Sequence, residues 1–146
     1  MTTTYGIDYA DNNRLQTDSA AKELTFASVN VSYVNFAASG YTSVFVCPAN
    51  EVWYIRSASY AQSVAGNYGT SGAGALQKGT VGSGTALTST SINYNAAANT
   101  KTPLVILGSV AKLTGGDHVF LANTIAGAAA TAGNGVLTIN LERGLL

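Results

Sequence analysis

The sequence predicts an all-β domain, a sandwich or barrel of about eight strands, and three observations carry that prediction. Apolar residues recur at every second position in several short stretches, Gly, Asn or Pro bounds each stretch, and no long amphipathic helical stripe interrupts them. The chain of 146 residues suits one domain. At this length a fold hides roughly 68–70% of its unfolded surface, enough for a real core.

The opening residues 1–23 read as an extended arm, and residues 24–146 as the domain. Much of the charge sits on the arm, at Asp8, Asp11, Arg14, Asp18, Lys22 and Glu23, whereas residues 57–77 carry none. A short helical turn fits only near "TDSAAKEL", where Thr17 or Asp18 caps and Ala20, Ala21, Lys22 and Glu23 favour helix.

From Leu24 the period is two. In "ELTFASVNVSYVNF", Ala27, Val29, Val31 and Tyr33 alternate with Ser28, Asn30 and Ser32, as in a strand with one buried and one wet face. Val34 and Phe36 then move apolar groups to the other face, which predicts a bulge or a second contact surface. "YTSVFVCPANEVWYIRSASYAQSV" reads as two strands joined by a tight turn at Cys47, Pro48, Ala49 and Asn50, the second strand running over roughly residues 51–61. The Gly/Ser/Ala-rich stretch 63–84 reads as a loop. Beyond it, "TALTSTSINYN", "TPLVILGSVAKL", "DHVFLAN" and "GVLTINLERGLL" are each short and partly apolar, and "LTGGDHVFLAN" suggests two strands meeting at Gly115-Gly116-Asp117. "TIAGAAATAG" reads as a loop, because Gly127 and Gly133 interrupt it and no apolar stripe runs through it.

Composition narrows the function. Seven basic and seven acidic residues give no net charge and form no Lys/Arg cluster, so phosphate-driven affinity is not expected and nucleic acid is not an expected partner. No stretch approaches the roughly 18 apolar residues of a membrane span, and the N-terminus lacks a secretory signal pattern. The expected location is therefore a cytoplasm, or release by lysis, and the Asn30-Val31-Ser32 sequon is not expected to be glycosylated. Cys47 is the single cysteine, flanked by Val46 and Pro48, and reads as an inert small hydrophobe.

Raw material for catalysis is scarce. Despite 16 glycines, nothing fits a dinucleotide fingerprint, a Walker loop or a nucleophile elbow. His118 is the sole histidine, and Asp117 beside it alternates to the other face of a strand, so the two are not expected to orient each other. One His and one Cys cannot supply a zinc site from a single chain, and the oxygens of Asp8, Asp11, Asn12 and Asn13 miss the spacing of a calcium loop. Glu51 with Arg56, and Glu142 with Arg143, read as surface or interface pairs. No enzyme and no cofactor are expected.

Binding remains. Eight tyrosines accompany four phenylalanines and one tryptophan, and tyrosine combines large contact area with a polar tip. Tyr33, Tyr54 and Tyr94 are expected in the core. Tyr5, Tyr9 and Tyr68 are expected to touch a partner, and Tyr41 stands at the start of a strand. The middle of the chain, poor in charge and rich in Ser, Thr, Ala, Asn and Gly, differs from the charged surface of a free monomer, so copies of itself or another protein are expected to cover it.

Several of these motifs resemble one family. "YTSVFVCPANEVWYIRSAS" resembles the opening hairpin of small jelly-roll proteins of tailed bacteriophages, "GSGTALTSTSINYN" their Gly-Thr-Ala-Leu strand, and "LTGGDHVFLAN" with "GVLTINLERGLL" their closing Gly-Asp hairpin and final strand. The likeness spans roughly residues 40–146 and leaves the arm without a counterpart. It implies a single jelly-roll β-sandwich with an extended N-terminal arm, and a non-enzymatic virion part of the kind typified by head decoration (cement) proteins. Such a protein forms a homo-oligomer, expected to be a trimer, on the outer capsid surface after assembly in the host cytoplasm. Its partner would be the major capsid protein, with Tyr5, Ile7, Tyr9 and Arg14 contacting the shell and Trp53, Tyr54 and Arg56 near a subunit contact. The alternative implied is a receptor-binding knob or tail-fibre domain that recognises host glycans. A major capsid subunit of a small jelly-roll virus would want a basic arm, which is missing before Lys22 apart from Arg14.

Overall fold

The computed structural model describes residues 26–34 and 39–144. Among these described residues ten strands run in order: β1 (Phe26–Val34), β2 (Gly40–Val46), β3 (Val52–Val64), β4 (Ser71–Lys78), β5 (Thr85–Ala86), β6 (Ile92–Asn93), β7 (Thr100–Leu104), β8 (Lys112–Thr114), β9 (His118–Ala126) and β10 (Asn134–Gly144), with one 3-10 turn at Gly108–Val110. The strands form two antiparallel five-stranded sheets. One has the order β1-β10-β3-β7, with β8 also on β3; the other has β2-β9-β4-β5, with β6 also on β4.

This order is that of a jelly roll. The chain behaves as one long antiparallel ribbon doubled back between β4 and β5, so that β1 pairs β10, β2 pairs β9, β3 pairs β7 and β4 pairs β5. Rolling the ribbon then brings β10 against β3 and β9 against β4. The all-β sandwich expected from the sequence is present, with eight strands in the two main paths and two short additions.

Three readings of the sequence need correction. Stretch 63–84 is not all loop, because Ser71–Lys78 is a full strand between β9 and β5. The turn at 47–50 and the turn at 115–117 do not close hairpins: β2 and β3, and likewise β8 and β9, belong to different sheets. Each turn carries the chain across the sandwich edge, and the two turns bond to each other, Cys47 N–H donating to the Asp117 carbonyl at 2.9 Å and Gly116 N–H to the Cys47 carbonyl at 2.8 Å. Finally, β3 extends to Val64, and Thr124–Ala126 of the supposed 124–133 loop complete β9.

The core lies between the sheets. Strand β10 alternates cleanly, burying Gly135, Leu137, Ile139 and Leu141, and β9 contributes Val119, Leu121 and Asn123. Strand β3 changes phase midway: Trp53 and Ile55 point inward, then Ala58, Tyr60 and Gln62 do. At one end of the core, Tyr60, Tyr68 and Tyr94 gather, with ring centroids 5.8 Å apart for Tyr60–Tyr94 and 6.3 Å for Tyr68–Tyr94. The Tyr94 hydroxyl donates to Asn123 Oδ1 at 2.5 Å, which satisfies two polar groups that would be costly to bury alone.

Candidate functional site

The phase change in β3 builds the first candidate surface. Asn140 stands opposite Ser57 and Leu141 opposite Ile55, so Arg56 is the extra residue of a β-bulge. Arg56 and Ser57 therefore both face solvent. The Arg56 guanidinium lies 5.2 Å from the Tyr54 ring centroid, and its Nε donates to Glu142 Oε1 at 2.7 Å. Beside this pair, Arg143 Nη1 donates to Glu51 Oε2 at 3.2 Å, and Glu51 Oε1 accepts the Trp53 indole N–H at 2.7 Å.

The partners are exchanged relative to the sequence expectation. Glu142 and Arg143 are neighbours on β10 and alternate faces, so each finds its ion across the strand pair: Glu142 with Arg56, Arg143 with Glu51. Of the three residues expected near a subunit contact, Tyr54 is half-buried and Arg56 is exposed, while Trp53 is 8% exposed and packs edge-on to Phe45 at 5.6 Å. Trp53 thus supports this surface from beneath. Tyr54 correspondingly leaves the core to which the sequence reading assigned it. Tyr5, Ile7, Tyr9 and Arg14, with Asp8 and Asp11, lie outside the described residues.

From this charged end, the outer face of the sheet runs on as uncharged cross-strand rows. Asn140 stands opposite Ser57, Thr138 opposite Ser59 and Val136 opposite Ala61; in backbone register β1 sets Ser28, Asn30 and Ser32 beside Asn140, Thr138 and Val136. Asn140 Nδ2 donates to Ser57 Oγ at 2.8 Å. The first charge along the rows is Lys101, opposite Ala61 on the far strand β7. The sequence reading found the low charge but not these rows, whose only signal was polar alternation in "SVNVS" and "SASYAQS".

Tyr68, expected to touch a partner, is 4% exposed. It is buried because β4 carries glycine at position 72, and the Tyr68 ring occupies the space a side chain there would take. Among the described residues, Tyr41 is the tyrosine that stays open, at 52% exposure.

Titratable groups elsewhere are engaged in structure. His118 Nε2 is 2.9 Å from Ser43 Oγ, and its ring meets Phe120 edge-on at 5.7 Å. Asp117 turns away from it, accepting the Thr114 N–H at 2.8 Å and approaching Lys78 Nζ at 3.6 Å. Asp117 therefore serves the turn and does not orient the His118 ring. Burial, followed by the nearby Asp117 and Glu51 carboxylates, raises the Cys47 thiol above its ordinary value, which holds it protonated. Among the described residues, no three His, Cys, Asp or Glu side chains converge as a metal site would require.

No protein-family model matches the chain, and no curated protein matches it in sequence. Similar solved structures include a chain of the disulfide-linked pili of Bacillus endospore appendages, with TM-score 0.47 and 16% identity, covering 86% of this chain and 91% of that one. A chain of the cyanophage Pam1 capsid has TM-score 0.45 and 14% identity, covering 86% of each. A chain of infectious bursal disease virus, Gx strain, has TM-score 0.39 and 12% identity, covering 83% of this chain and 36% of that one.

Proposed function

We propose that this chain is a non-enzymatic structural protein of a phage virion, a decoration protein that binds the outer head surface and bridges capsomers. The observation that supports this best is the outer face of β10 and β3, where uncharged Ser, Thr, Asn, Val and Ala rows end in the Tyr54–Arg56–Glu142 group. Typical soluble domains have roughly 25% charged residues, whereas 10% of this chain is charged. A polar sheet face whose charges stand at its margins suits contact with other protein subunits. The motifs in residues 40–146 that resemble small jelly-roll proteins of tailed bacteriophages agree with this reading.

On this reading the domain assembles as a trimer on the capsid, with Tyr54 and Arg56 at the subunit contact and Trp53 buttressing them. The arm residues Tyr5, Ile7, Tyr9 and Arg14 grip the major capsid protein. Because the binding surface exists only on the assembled lattice, each bound copy shifts the equilibrium toward the intact shell by mass action. Three arms on one oligomer turn weak contacts into avidity. No cofactor, nucleic acid or membrane takes part.

The test is co-sedimentation of the purified chain with undecorated phage heads. Saturable binding at a stoichiometry matching capsid symmetry sites is the expected result, and removing residues 1–14 should abolish it while the oligomer persists. Heads that leave the chain in the supernatant would overturn the assignment. At the subunit contact, Arg56→Glu should weaken oligomerisation at least about tenfold, a loss of about 1.4 kcal/mol, measured by sedimentation velocity.

A further inference from the structure

The second sheet carries a different kind of surface on its outer side. Phe120 points outward from β9 yet is fully buried. Ser43 and Gln77 flank it in register, the Tyr41 ring meets it edge-on at 5.6 Å, and the loop after β4 folds back over it. That loop is fixed: Gly79 N–H donates to the His118 carbonyl and Ser83 N–H to the Thr80 carbonyl, both at 2.9 Å. Gly84 lies so close to the Phe120 ring that a Cβ there would collide with it.

Beside the covered Phe120 the face opens into a concavity of about 620 Å³, inside the roughly 300–1,000 Å³ range of small-molecule sites. Ala122 lines it as a small residue opposite Tyr41, with Gln77, Ser83 and Thr124 around it. Among the described residues its lining holds hydroxyls, amides and backbone groups and no charged side chain. Phosphate, carboxylate and amine ligands would therefore find no counter-charge here. Tyr41, pinned at its edge by Phe120, keeps half of its surface open.

We propose that this concavity is a binding site for a neutral saccharide. A pyranose ring has an apolar face of C–H groups and a rim of hydroxyls that both donate and accept. The apolar face stacks on Tyr41, and the rim bonds to the Gln77 amide and to the Ser83 and Thr124 hydroxyls, groups that also donate and accept. Because the loop and the aromatic pair are already fixed, little ordering is needed on binding. The site lies on the sheet opposite the uncharged rows, so it does not rest on the shell assignment.

The experiment is a titration of the full chain, followed by amide-resolved NMR, with methyl glucopyranoside, methyl galactopyranoside and N-acetylglucosamine as separate probes. At least one should give saturable shifts confined to the amides around Tyr41, Gln77, residues 82–84 and Thr124, with a dissociation constant on the order of 1 mM. Tyr41→Ala should weaken it about tenfold or more, Tyr41→Phe should retain most of the affinity through the ring, and Gln77→Ala should weaken binding without touching the stack. Shifts absent with all three sugars, located elsewhere, or unchanged in both Tyr41→Ala and Gln77→Ala would overturn the proposal. Head co-sedimentation reads a different surface and stands or falls separately.

Discussion

Single residues in this chain are chosen against rings that arrive from elsewhere in the sequence. A Cβ at Gly74 would meet the Tyr94 hydroxyl, one at Gly72 the Tyr68 ring, and one at Gly135 the Tyr60 hydroxyl. Two of the glycines that made residues 63–84 resemble a loop, Gly72 and Gly74, are therefore strand residues whose side-chain space is filled by tyrosine. Gly74→Ala should destabilise the domain by about 1–3 kcal/mol through overpacking, seen as a lower urea midpoint with unchanged slope. The tyrosine cluster also sets a pH dependence. Burial raises the Tyr60 phenol above its ordinary 10.0, with Tyr68 adding to the shift, and raises the Cys47 thiol above 9.0. The folded state thus holds these protons more tightly than the unfolded chain. Their stabilisation is complete below those ordinary values and is lost as pH rises through the higher folded ones. Stability should stay flat through neutral pH and fall on the alkaline side, and Tyr60→Phe should make that fall shallower in urea midpoints measured against pH.

At the scale of elements, what was legible is whatever repeats with period two along one strand. The alternation of β10, the apolar run of β9 and the positions of the turns at 47–50 and 115–117 could all be read directly. Partnership between strands could not, because the bulge at Arg56 shifts the register by one residue and because each charge finds its ion across the strand pair. The same bulge explains why Tyr54 is outside while Tyr60, an even number of residues further on, is inside. Since the Arg56 side chain is 56% exposed, the pair with Glu142 contributes little to the folded monomer, about 0–1 kcal/mol. Glu142→Gln should accordingly leave the thermal midpoint nearly unchanged while altering self-association, the proposed job of this surface. A large loss of stability in calorimetry, with association intact, would instead make the pair a structural clamp.

At the scale of the whole molecule, the sandwich class was legible from strand number and spacing, but the site surfaces were not. Both faces are assembled from positions far apart in the chain: residues near 30 join residues near 138 and 59 on one sheet, and residue 41 joins residues 77 and 122 on the other. This topology has a consequence that can be measured. Strand β10 is central in its sheet, holding β1 on one side and β3 on the other through eleven residues. It also supplies Leu137, Ile139 and Leu141 to the core, each 1% exposed. Removing residues 134–146 would strip β1 of its partner, open an edge of β3 and withdraw a whole inner row of side chains. Each lost Leu or Ile is comparable to a core truncation of about 2–5 kcal/mol, so the three together are as large as the whole stability of a typical domain, about 5–15 kcal/mol, before the lost strand pairing is added. The truncated chain should therefore show no cooperative unfolding transition in circular dichroism, rather than a weakened one. A cooperative transition in that chain would mean that β3, β7 and the second sheet form a stable unit by themselves, and that the rolled ribbon is not the unit of folding.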